Sequence, residues 1–408
     1  MSLALTVASG LALLVWLYLF LFRGRFWLCD QRLPVIGTPP DPDPAAWPSV
    51  VAVVPARDED GVIETSLSTL LAQDYPGRFR VILVDDASRD ATRAIALALA
   101  ETDDRLTVIS ARPLPAGWSG KLWAVSEGLQ QAAAQDPDAR YVWLTDADIG
   151  HDPGNLRRLV AKAEAQRLDL VSLMVLLNHR GLWAGLLIPA FVFFFQKLYP
   201  FRWVNSSTRP EAAAAGGCIL VRREALDAVG GIARIRGALI DDCTLGAVIK
   251  AGVNGQPGRL WLGLSTRAVS LRPYSRFREI WDMVIRSAYT QLNHSPWLLA
   301  GAILGMILTY LTAPIVVLTW SFHQADLAAL FGIAAWFLMV VAYQPTLRLY
   351  RKPRMAAWLL PVVGFLYSLM TIASAVRHWR GRGGQWKGRV TQTNLDGTAE
   401  TLAGRPIE

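Results

Sequence analysis

The chain has few of the residues that build disulfide frameworks or thiolate metal centres. Among 408 residues there are three cysteines and five histidines. Cys29, Cys218 and Cys243 show no metal-ligand spacing, and an odd number of cysteines in a domain predicted to face the cytoplasm indicates free thiols. Neither a disulfide scaffold nor a cysteine-based zinc site is therefore predicted.

Charge is also scarce, at 18% of residues, and it is absent from four long stretches. Each stretch is long enough to cross a hydrocarbon core of about 30 Å; they are residues 1–22, 297–320, 327–347 and 355–376. No small-residue cleavage site follows the first stretch, which predicts an uncleaved N-terminal transmembrane anchor rather than a signal peptide. The other three define a C-terminal transmembrane region at 297–376.

A fifth apolar stretch, residues 181–195, is too short for a simple span. We predict an interfacial or re-entrant helix within an interfacial segment 181–203, and a helix buried in a protein core is the alternative. Its aromatic and basic residues would lie at headgroup level: Trp183, Lys197, Tyr199 and Trp203. A second, amphipathic interfacial segment is predicted at 276–296.

Basic residues are placed asymmetrically around the spans. They follow the first span and separate the last two, whereas residues 321–326 contain neither Lys nor Arg. The positive-inside rule predicts a multi-pass protein of the cell (inner) membrane, with residues 23–296 in the cytoplasm. Four full spans would place the basic tail 377–408 outside, against the rule; a re-entrant hairpin at Pro361 and Gly364 would place it inside. The net charge of +8 is explained by lipid headgroups, so no nucleic acid partner is predicted.

A proline-rich linker, 23–48, leads to a region in which strand and helix patterns alternate. Predicted strands are 50–54, 80–84, 106–110, 141–145 and 170–176, with predicted helices at 64–73, 92–101, 121–134 and 155–166. This alternation predicts an α/β domain at 49–275 with a mostly parallel, Rossmann-like sheet. Ligands of such sheets bind at the carboxyl ends of strands.

Polar residues follow each of the first three strands. The first gives Pro55, Arg57 and Glu59, and the second gives Asp85 and Asp86. Carboxylates there could accept hydrogen bonds from a base or a ribose, whereas nearby Asp90 and Thr92 could simply cap the next helix. A glycine-rich loop after the third strand ends at Lys121, which suits a phosphate or is an ordinary solvated lysine at a helix start.

The fourth strand ends in Asp146 and Asp148, one residue apart. Two hard oxygen ligands at this spacing suit Mg²⁺ or Mn²⁺, which neutralises a diphosphate. A solvated acid pair at a strand end is the alternative.

In order, these motifs resemble the family-2 glycosyltransferases with a GT-A fold. The resemblance covers roughly residues 50–271 through six motifs: 55–59, 84–92, 120–121, 146–148, 216–217 and 241–242. The flanking apolar segments resemble the lipid-glycosylating subgroup, which includes ceramide glucosyltransferases. Gly230 with Gly231, the acidic pair, and the stretch from Trp386 to Arg389 resemble the bacterial hopanoid-biosynthesis-associated (hopene-associated) glycosyltransferases.

The resemblance implies roles for the motif residues. Asp242 would be the base of an inverting transfer, with Asp241 beside it where the family has Glu; capping of a helix is the alternative for Asp242. Asp148 would hold the metal, and Asp146 would contact either the ribose or the groups that surround the metal. Donor contacts would come from Pro55, Arg57, Glu59, Asp85, Asp86, Lys121 and Asp146. Gly216 and Gly217, which precede a strand predicted at 218–222, would approach the acceptor.

The chain departs from processive members of the family, which carry Q-x-x-R-W. If Arg286 matches the family arginine, Met283 and Ser287 replace the Gln and Trp. Arg286 then binds donor diphosphate or a lipid headgroup. The predicted function is transfer of one sugar from a nucleotide-sugar, with a UDP-sugar favoured, to a membrane lipid such as a hopanoid. A processive polysaccharide synthase and a non-catalytic lipid-pathway scaffold are the alternatives.

Overall fold

A computed structural model describes residues 2–33, 47–252, 255–381, 385–386 and 389–390. Half of the linker predicted at 23–48, and most of the basic tail predicted at 377–408, lie outside the described residues. The last two described segments, β9 (Gln385–Trp386) and β10 (Arg389–Val390), form an antiparallel pair.

The central region alternates strands and helices as predicted. Its strands are β1 (Val50–Ala56), β2 (Phe79–Asp85), β3 (Leu106–Ser110), β4 (Tyr141–Leu144), β5 (Ile149–His151), β6 (Leu170–Leu176), β7 (Ile219–Arg222) and β8 (Leu260–Ser270). Its helices are α2 (Ile63–Leu71), α3 (Thr92–Ala100), α4 (Gly120–Gln135), α5 (Asn155–Gln166), α8 (Arg223–Ala228) and α9 (Asp241–Ala251). Strands β5 and β8 are absent from the sequence-based prediction.

The eight strands form one sheet in the order β3-β2-β1-β4-β7-β6-β8-β5. Strands β3, β2, β1 and β4 are mutually parallel, as are β6 and β8, whereas β7 is antiparallel to both its neighbours and β5 to β8. This is the Rossmann-like GT-A arrangement. The carboxyl ends of β1, β2, β4 and β8 therefore meet the start of β7 at one edge of the sheet.

Both faces of the sheet are covered, which explains why β1 is apolar and buried along its whole length. Successive residues of a strand point to opposite faces. Val50, Ala52 and Val54 pack with α2, α3 and α5, whereas Val51 and Val53 pack with α4, α8 and α9. The strands are thereby fixed, and their ends hold polar side chains on a rigid support.

In the described part of the chain, four helices are long and apolar enough to cross a membrane. They are α1 (Ser2–Leu21), a helix from α11 (Pro296–Met306) through a π-helical turn into α12 (Thr312–Leu318), α14 (Asp326–Leu349), and α15 (Leu360–Trp379) with the turn before it. The short α13 (Trp320–His323) lies between α12 and α14. Large apolar side chains on their outer faces are exposed, among them Leu3, Trp297, Leu330 and Phe365.

The re-entrant hairpin considered for the last segment is wrong, because α15 runs unbroken from Leu360 to Trp379. Pro361 lies in its first turn, where a missing backbone N–H leaves no helical hydrogen bond unmade. Gly364 allows Tyr310 to approach so closely that a Cβ at this position would lie 2.9 Å from the Cβ of Tyr310. Both residues therefore serve helix packing rather than a break.

The apolar stretch after β6 forms α6 (Leu182–Leu198), which is largely buried among α10 (Phe277–Ile285), α14 and α15. Leu187, Ile188 and Phe193 have no exposed surface. This burial matches the core-helix alternative, and the headgroup location of the segment stays a prediction. A four-residue helix, α7 (Phe201–Val204), follows and leads back to the sheet domain.

A second connection joins the first long helix to the sheet. The N–H of Leu264 in β8 donates to the carbonyl of Gln31 at 2.8 Å, and Arg32 forms a parallel bridge with Leu264. The chain that leaves α1 is therefore attached directly to β8.

Candidate active site

One cavity at the sheet edge collects residues from five of the predicted motifs. Its lining includes Pro55, Lys121, Asp146, Gly216, Asp241 and Asp242. They come from the end of β1, the start of α4, the loop after β4, the loop before β7 and the first turn of α9. Antiparallel β7 makes this possible, because its first residues lie at the edge where the parallel strands end.

Lys121 is the centre of the charged network. Its Nζ lies 2.8 Å from Oδ1 of Asp146 and 3.0 Å from Oδ2 of Asp241. Burial favours a lower pKa for Lys121, but the charges of Asp146 and Asp241 outweigh burial and hold that pKa above its ordinary value. The hydroxyl of Ser119 caps α4 by accepting the N–H of Leu122 at 3.3 Å, so Lys121 has a fixed backbone. The solvated-lysine alternative is therefore wrong.

Asp242 is bound to the glycine loop opposite it. Its Oδ2 accepts the N–H of Gly216 at 2.8 Å, and its Oδ1 accepts the N–H of Cys243 at 2.7 Å. Burial and the neighbouring charge of Asp241 raise the pKa of Asp242 to about 6. Ile240 occupies the cap position of α9, but Asp242 lies in the first turn and its bond to the N–H of Cys243 satisfies a free backbone donor there, so the capping interpretation holds in part and the role as base stays a prediction.

The two carboxylates after β4 face different partners. Asp146 pairs with Lys121, whereas Oδ2 of Asp148 lies 3.2 Å from Nε of Arg272. Burial raises the pKa of both carboxyls, and each cation partly offsets that effect. Through Lys121, Asp146 is connected to Asp241, and through Arg272, Asp148 is connected to Glu59.

Arg272 was missed by the sequence reasoning. Its Nη2 lies 2.9 Å from Oε1 of Glu59, in addition to the contact with Asp148. The residue follows β8, whose carboxyl end lies at the same sheet edge. Recognition of 260–270 as a strand would have identified Arg272 as another polar strand end.

The loops after β1 and β2 are joined by several hydrogen bonds. Nη1 of Arg57 binds the carbonyl of Asp86 and lies 3.5 Å from its carboxylate, and both side chains are buried. Oδ1 of Asp85 accepts the N–H of Ser88 at 3.2 Å, which shapes the turn after β2. Arg57 is therefore in direct contact with Asp86, and Asp85 shapes the same turn; a base pocket formed by these residues with Glu59, and their contact with a donor, stays a prediction.

Two further residues of the same loops have structural partners. Oδ1 of Asp90 accepts the N–H of Thr92 at 3.0 Å at the start of α3, as the capping interpretation predicts. Oγ1 of Thr92 accepts the N–H of Glu59 at 2.7 Å. Thr92 therefore also fixes the backbone that carries Glu59 toward Arg272.

Arg286 does not join the acid cluster. It lies exposed at the C-terminal end of α10. Burial and the charge of Asp148 raise the pKa of Tyr274, whereas the charges of Arg272 and Arg286 oppose that rise. Arg286 thus lies near the rim of the site, and its predicted contact with diphosphate stays a prediction.

The cysteines and the buried histidine near the site have no role in its polar network. The three cysteines are free and buried, as predicted. His151 contacts Thr145 at 2.9 Å and Asn155 at 3.2 Å, and burial lowers its pKa to about 3. His151 is therefore a neutral histidine of the protein core.

The carboxylate oxygens of the site suit a hard divalent cation, although they do not form a complete set of metal ligands. Within the described ranges no three His, Cys, Asp or Glu side chains cluster closely enough to hold a metal. Burial raises the pKa of both Asp146 and Asp148, and a neighbouring carboxylate adds to each rise, Asp148 in the case of Asp146 and Glu59 in the case of Asp148, which indicates a concentration of negative charge there. Carboxylate oxygens are ligands of Mg²⁺ and Mn²⁺, so Asp148, with Asp146 beside it, fits such an ion chemically.

Comparisons with known proteins agree with the geometry. Residues 51–230 match the family model described as "Glycosyl transferase family 2". An N-acetylglucosaminyltransferase of Neorhizobium galegae is 49% identical over 49 residues, 12% of this chain and 11% of that protein. The beta-monoglucosyldiacylglycerol synthase of Synechocystis sp. is 29% identical over 199 residues, 47% of this chain. The matched part spans 38% of the length of that second relative.

A solved structure shares the fold. The mannosyltransferase of Pyrobaculum calidifontis, in complex with GDP-Man and Mn²⁺, superposes with a TM-score of 0.52. The match covers 94% of this chain and 100% of that one at 21% identity, so it concerns the fold. The sheet order, the strand-end residues and the family match agree: residues 51–230 match the family-2 glycosyltransferase model, and the chain has the GT-A fold.

Proposed function

We propose that the protein is a membrane-bound inverting glycosyltransferase that moves one sugar from a nucleotide-sugar to a hydroxyl group of a membrane lipid. A UDP-sugar is the favoured donor, with Mg²⁺ or Mn²⁺ as the cofactor. The observation that carries the proposal is the environment of Asp242. Its carboxylate is held by Gly216, has a pKa of about 6, and lies in the same cavity as Asp146 and Lys121.

The roles of the residues follow from this arrangement. Asp242 accepts the proton of the acceptor hydroxyl, whose oxygen then attacks the anomeric carbon while the bond to the nucleoside diphosphate breaks. A base with a pKa near 6 is ionised at neutral pH and still basic enough for this task. Asp148 and Asp146 would hold the metal, which when bound would neutralise the leaving diphosphate. Lys121 and Asp241 set the charge around the base and hold its surroundings rigid.

A lipid acceptor is supported by the setting of the sheet domain. The sheet domain is continuous with apolar helices: β6 leads into α6, which packs against α14 and α15, and outward apolar side chains cover the four long helices. The name of the Synechocystis relative describes a synthase of a glycosylated diacylglycerol. A hopanoid or related isoprenoid lipid is the finer proposal, and it rests on the motif resemblance at Gly230 with Gly231 and at Asp241 with Asp242.

We place the sheet domain at the cytoplasmic face of the cell's inner membrane, where nucleotide-sugars are available. The basic residues after α1 and between α14 and α15 support this orientation. The nucleotide, the sugar and the lipid are to be identified by experiment.

The test is a transfer assay with purified full-length protein in lipid nanodiscs. Mn²⁺, a panel of UDP- and GDP-sugars and a bacterial lipid extract would be supplied, and products read by mass spectrometry. A lipid that gains the mass of a single sugar, and does not gain it with Asp242→Asn, supports the proposal. Long products would indicate a polysaccharide synthase.

A calorimetric titration with UDP or GDP and Mn²⁺ addresses the remaining alternative. A scaffold that has lost catalysis would neither bind nucleotide nor transfer sugar. Lipid analysis of a deletion strain would then identify the acceptor, because the glycosylated lipid should disappear and its precursor accumulate.

A further inference from the structure

The arginine after β8 bridges the two acidic loops of the donor side. Nε of Arg272 contacts Asp148, and Nη2 contacts Glu59. The N–H of Leu271 donates to the carbonyl of Asp148 at 2.8 Å. This hydrogen bond holds the backbone next to Arg272 against the backbone of Asp148. The side chain is 37% exposed, compared with 15% for Asp148 and 14% for Glu59. The backbone beside Arg272 is therefore fixed, whereas its guanidinium-bearing side chain is partly exposed to solvent.

The same contacts place Arg272 in competition with a divalent cation. Both use the carboxylate of Asp148, and a cation that binds Oδ2 has to replace the guanidinium contact at that atom. A guanidinium has five N–H donors in a planar fork that matches phosphate oxygens. Among the residues that the structure describes, its Nη1 has no protein partner, so the fork can take up an anion.

We propose that Arg272 is a donor-binding residue that exchanges partners. It neutralises Asp148 and Glu59, gives up Asp148 to the divalent cation, and turns its fork onto the diphosphate of the nucleotide-sugar. This inference rests on the proposed function and adds a residue to its donor site. Because one side chain serves both acids and diphosphate, metal and nucleotide binding become coupled through Arg272.

The coupling gives a pair of opposite effects. Arg272→Gln removes a positive charge from beside Asp148, so Mn²⁺ alone should bind more tightly, by roughly threefold to tenfold. The same change removes a charged fork from the diphosphate, so UDP or GDP in saturating Mn²⁺ should bind roughly tenfold or more weakly. Arg272→Lys keeps the charge without the fork, and should retain the Mn²⁺ affinity while losing most of the nucleotide affinity.

The measurements are Mn²⁺ binding by electron paramagnetic resonance and nucleotide binding by calorimetry, on the full chain in nanodiscs. Arg267→Gln is the matched control, because Arg267 lies in β8, close to Arg272 in the chain, and pairs with Asp152 at 3.1 Å instead. The inference is supported if Arg272→Gln moves the two affinities in opposite directions and Arg267→Gln moves neither.

Two results would overturn it. If Arg272→Gln leaves both affinities unchanged or weakens both, Arg272 has a purely structural role and the proposed function stands. If the unmodified protein binds neither Mn²⁺ nor UDP nor GDP, the proposed function fails and the inference fails with it.

Discussion

The backbone N–H of Gly216 and the carboxylate of Asp242 lie 2.8 Å apart, so the glycine loop before β7 and the start of α9 form one unit. The hydrogen bond fixes one oxygen of the carboxylate, and the N–H of Cys243 fixes the other. An acid held in this way has a defined direction from which it can accept a proton.

Asp242→Asn should remove turnover and leave donor binding intact. General-base catalysis typically contributes a factor of about 10² to 10⁴, and the rate constant should fall by that amount. Calorimetric titration with nucleotide and Mn²⁺ should give an affinity within about twofold of the unmodified protein. An equal loss of nucleotide affinity would assign Asp242 to the donor site instead.

The rate should depend on pH through Asp242. Its carboxylate must be ionised to accept a proton, and its pKa is about 6, so kcat/KM should fall as the pH decreases through that value. Asp241→Asn removes a charge that raises this pKa, and it leaves Lys121 with more uncompensated positive charge. The acidic limb should therefore move to lower pH; a shift to higher pH would contradict the arrangement.

Lys121→Met should destabilise the domain as well as inactivate it. Lys121 pairs with Asp146 and Asp241, and its removal leaves buried acids without their shared counter-charge. Breaking such a pair typically costs up to about 3 kcal/mol at a partly shielded site, which the melting temperature in nanodiscs would report. Lys121→Arg, which keeps the charge, is the control and should retain most of the stability. Equal melting temperatures for both variants would mean that the pairs contribute little.

The two glycines before β7 should respond differently to alanine. A Cβ at Gly216 would meet Nζ of Lys121 at 3.3 Å and Oδ2 of Asp242 at 3.4 Å, so Gly216→Ala should lower kcat with little loss of stability. A Cβ at Gly217 would meet Cγ1 of Val175 at 3.1 Å, within the packed core. Gly217→Ala should therefore lower the melting temperature, by an overpacking cost of about 1–3 kcal/mol. Reversed effects would argue against the acceptor role of Gly216.

The four long helices predict a topology that reporter fusions can test. Because α15 is unbroken, we expect four full spans and a tail on the same side as the N-terminus. Alkaline phosphatase fused after His323 should be active outside the cytoplasm, and the same reporter after Lys352 should be inactive. An inactive reporter at Gly381 would show that α15 does not complete its crossing.

The regular elements were predictable where local chemistry defines them. Strands β3 and β6 begin and end as predicted, because short apolar runs there are bounded by turn-forming or charged residues. Strand β8 was not predicted: Gly263 and Arg267 interrupt its apolar pattern, although neighbouring strands bury most of the segment. Whether such a segment forms a strand depends on its pairing with strands that are distant in the sequence.

The motif residues were also predictable, but their partners were not. Nothing local to Lys121 indicates that Asp241, 120 positions later, will pair with it, because antiparallel β7 and α9 make that contact. The same holds for Glu59 and Arg272. Sequence indicates which polar residues stand at strand ends, and only the sheet order shows which of them become neighbours.

The attachment of residues 31–32 to β8 has a mechanical consequence. Residues 31–32 are attached to Leu264, near the middle of β8, and Arg272 follows the carboxyl end of the same strand. The chain from Leu264 to Arg272 spans about 27 Å at most, so the depth of α1 in a bilayer would set the height of the donor site above the lipid surface. In a thicker or thinner membrane the reach of the sugar toward its acceptor would change, without any change in the residues that perform the chemistry.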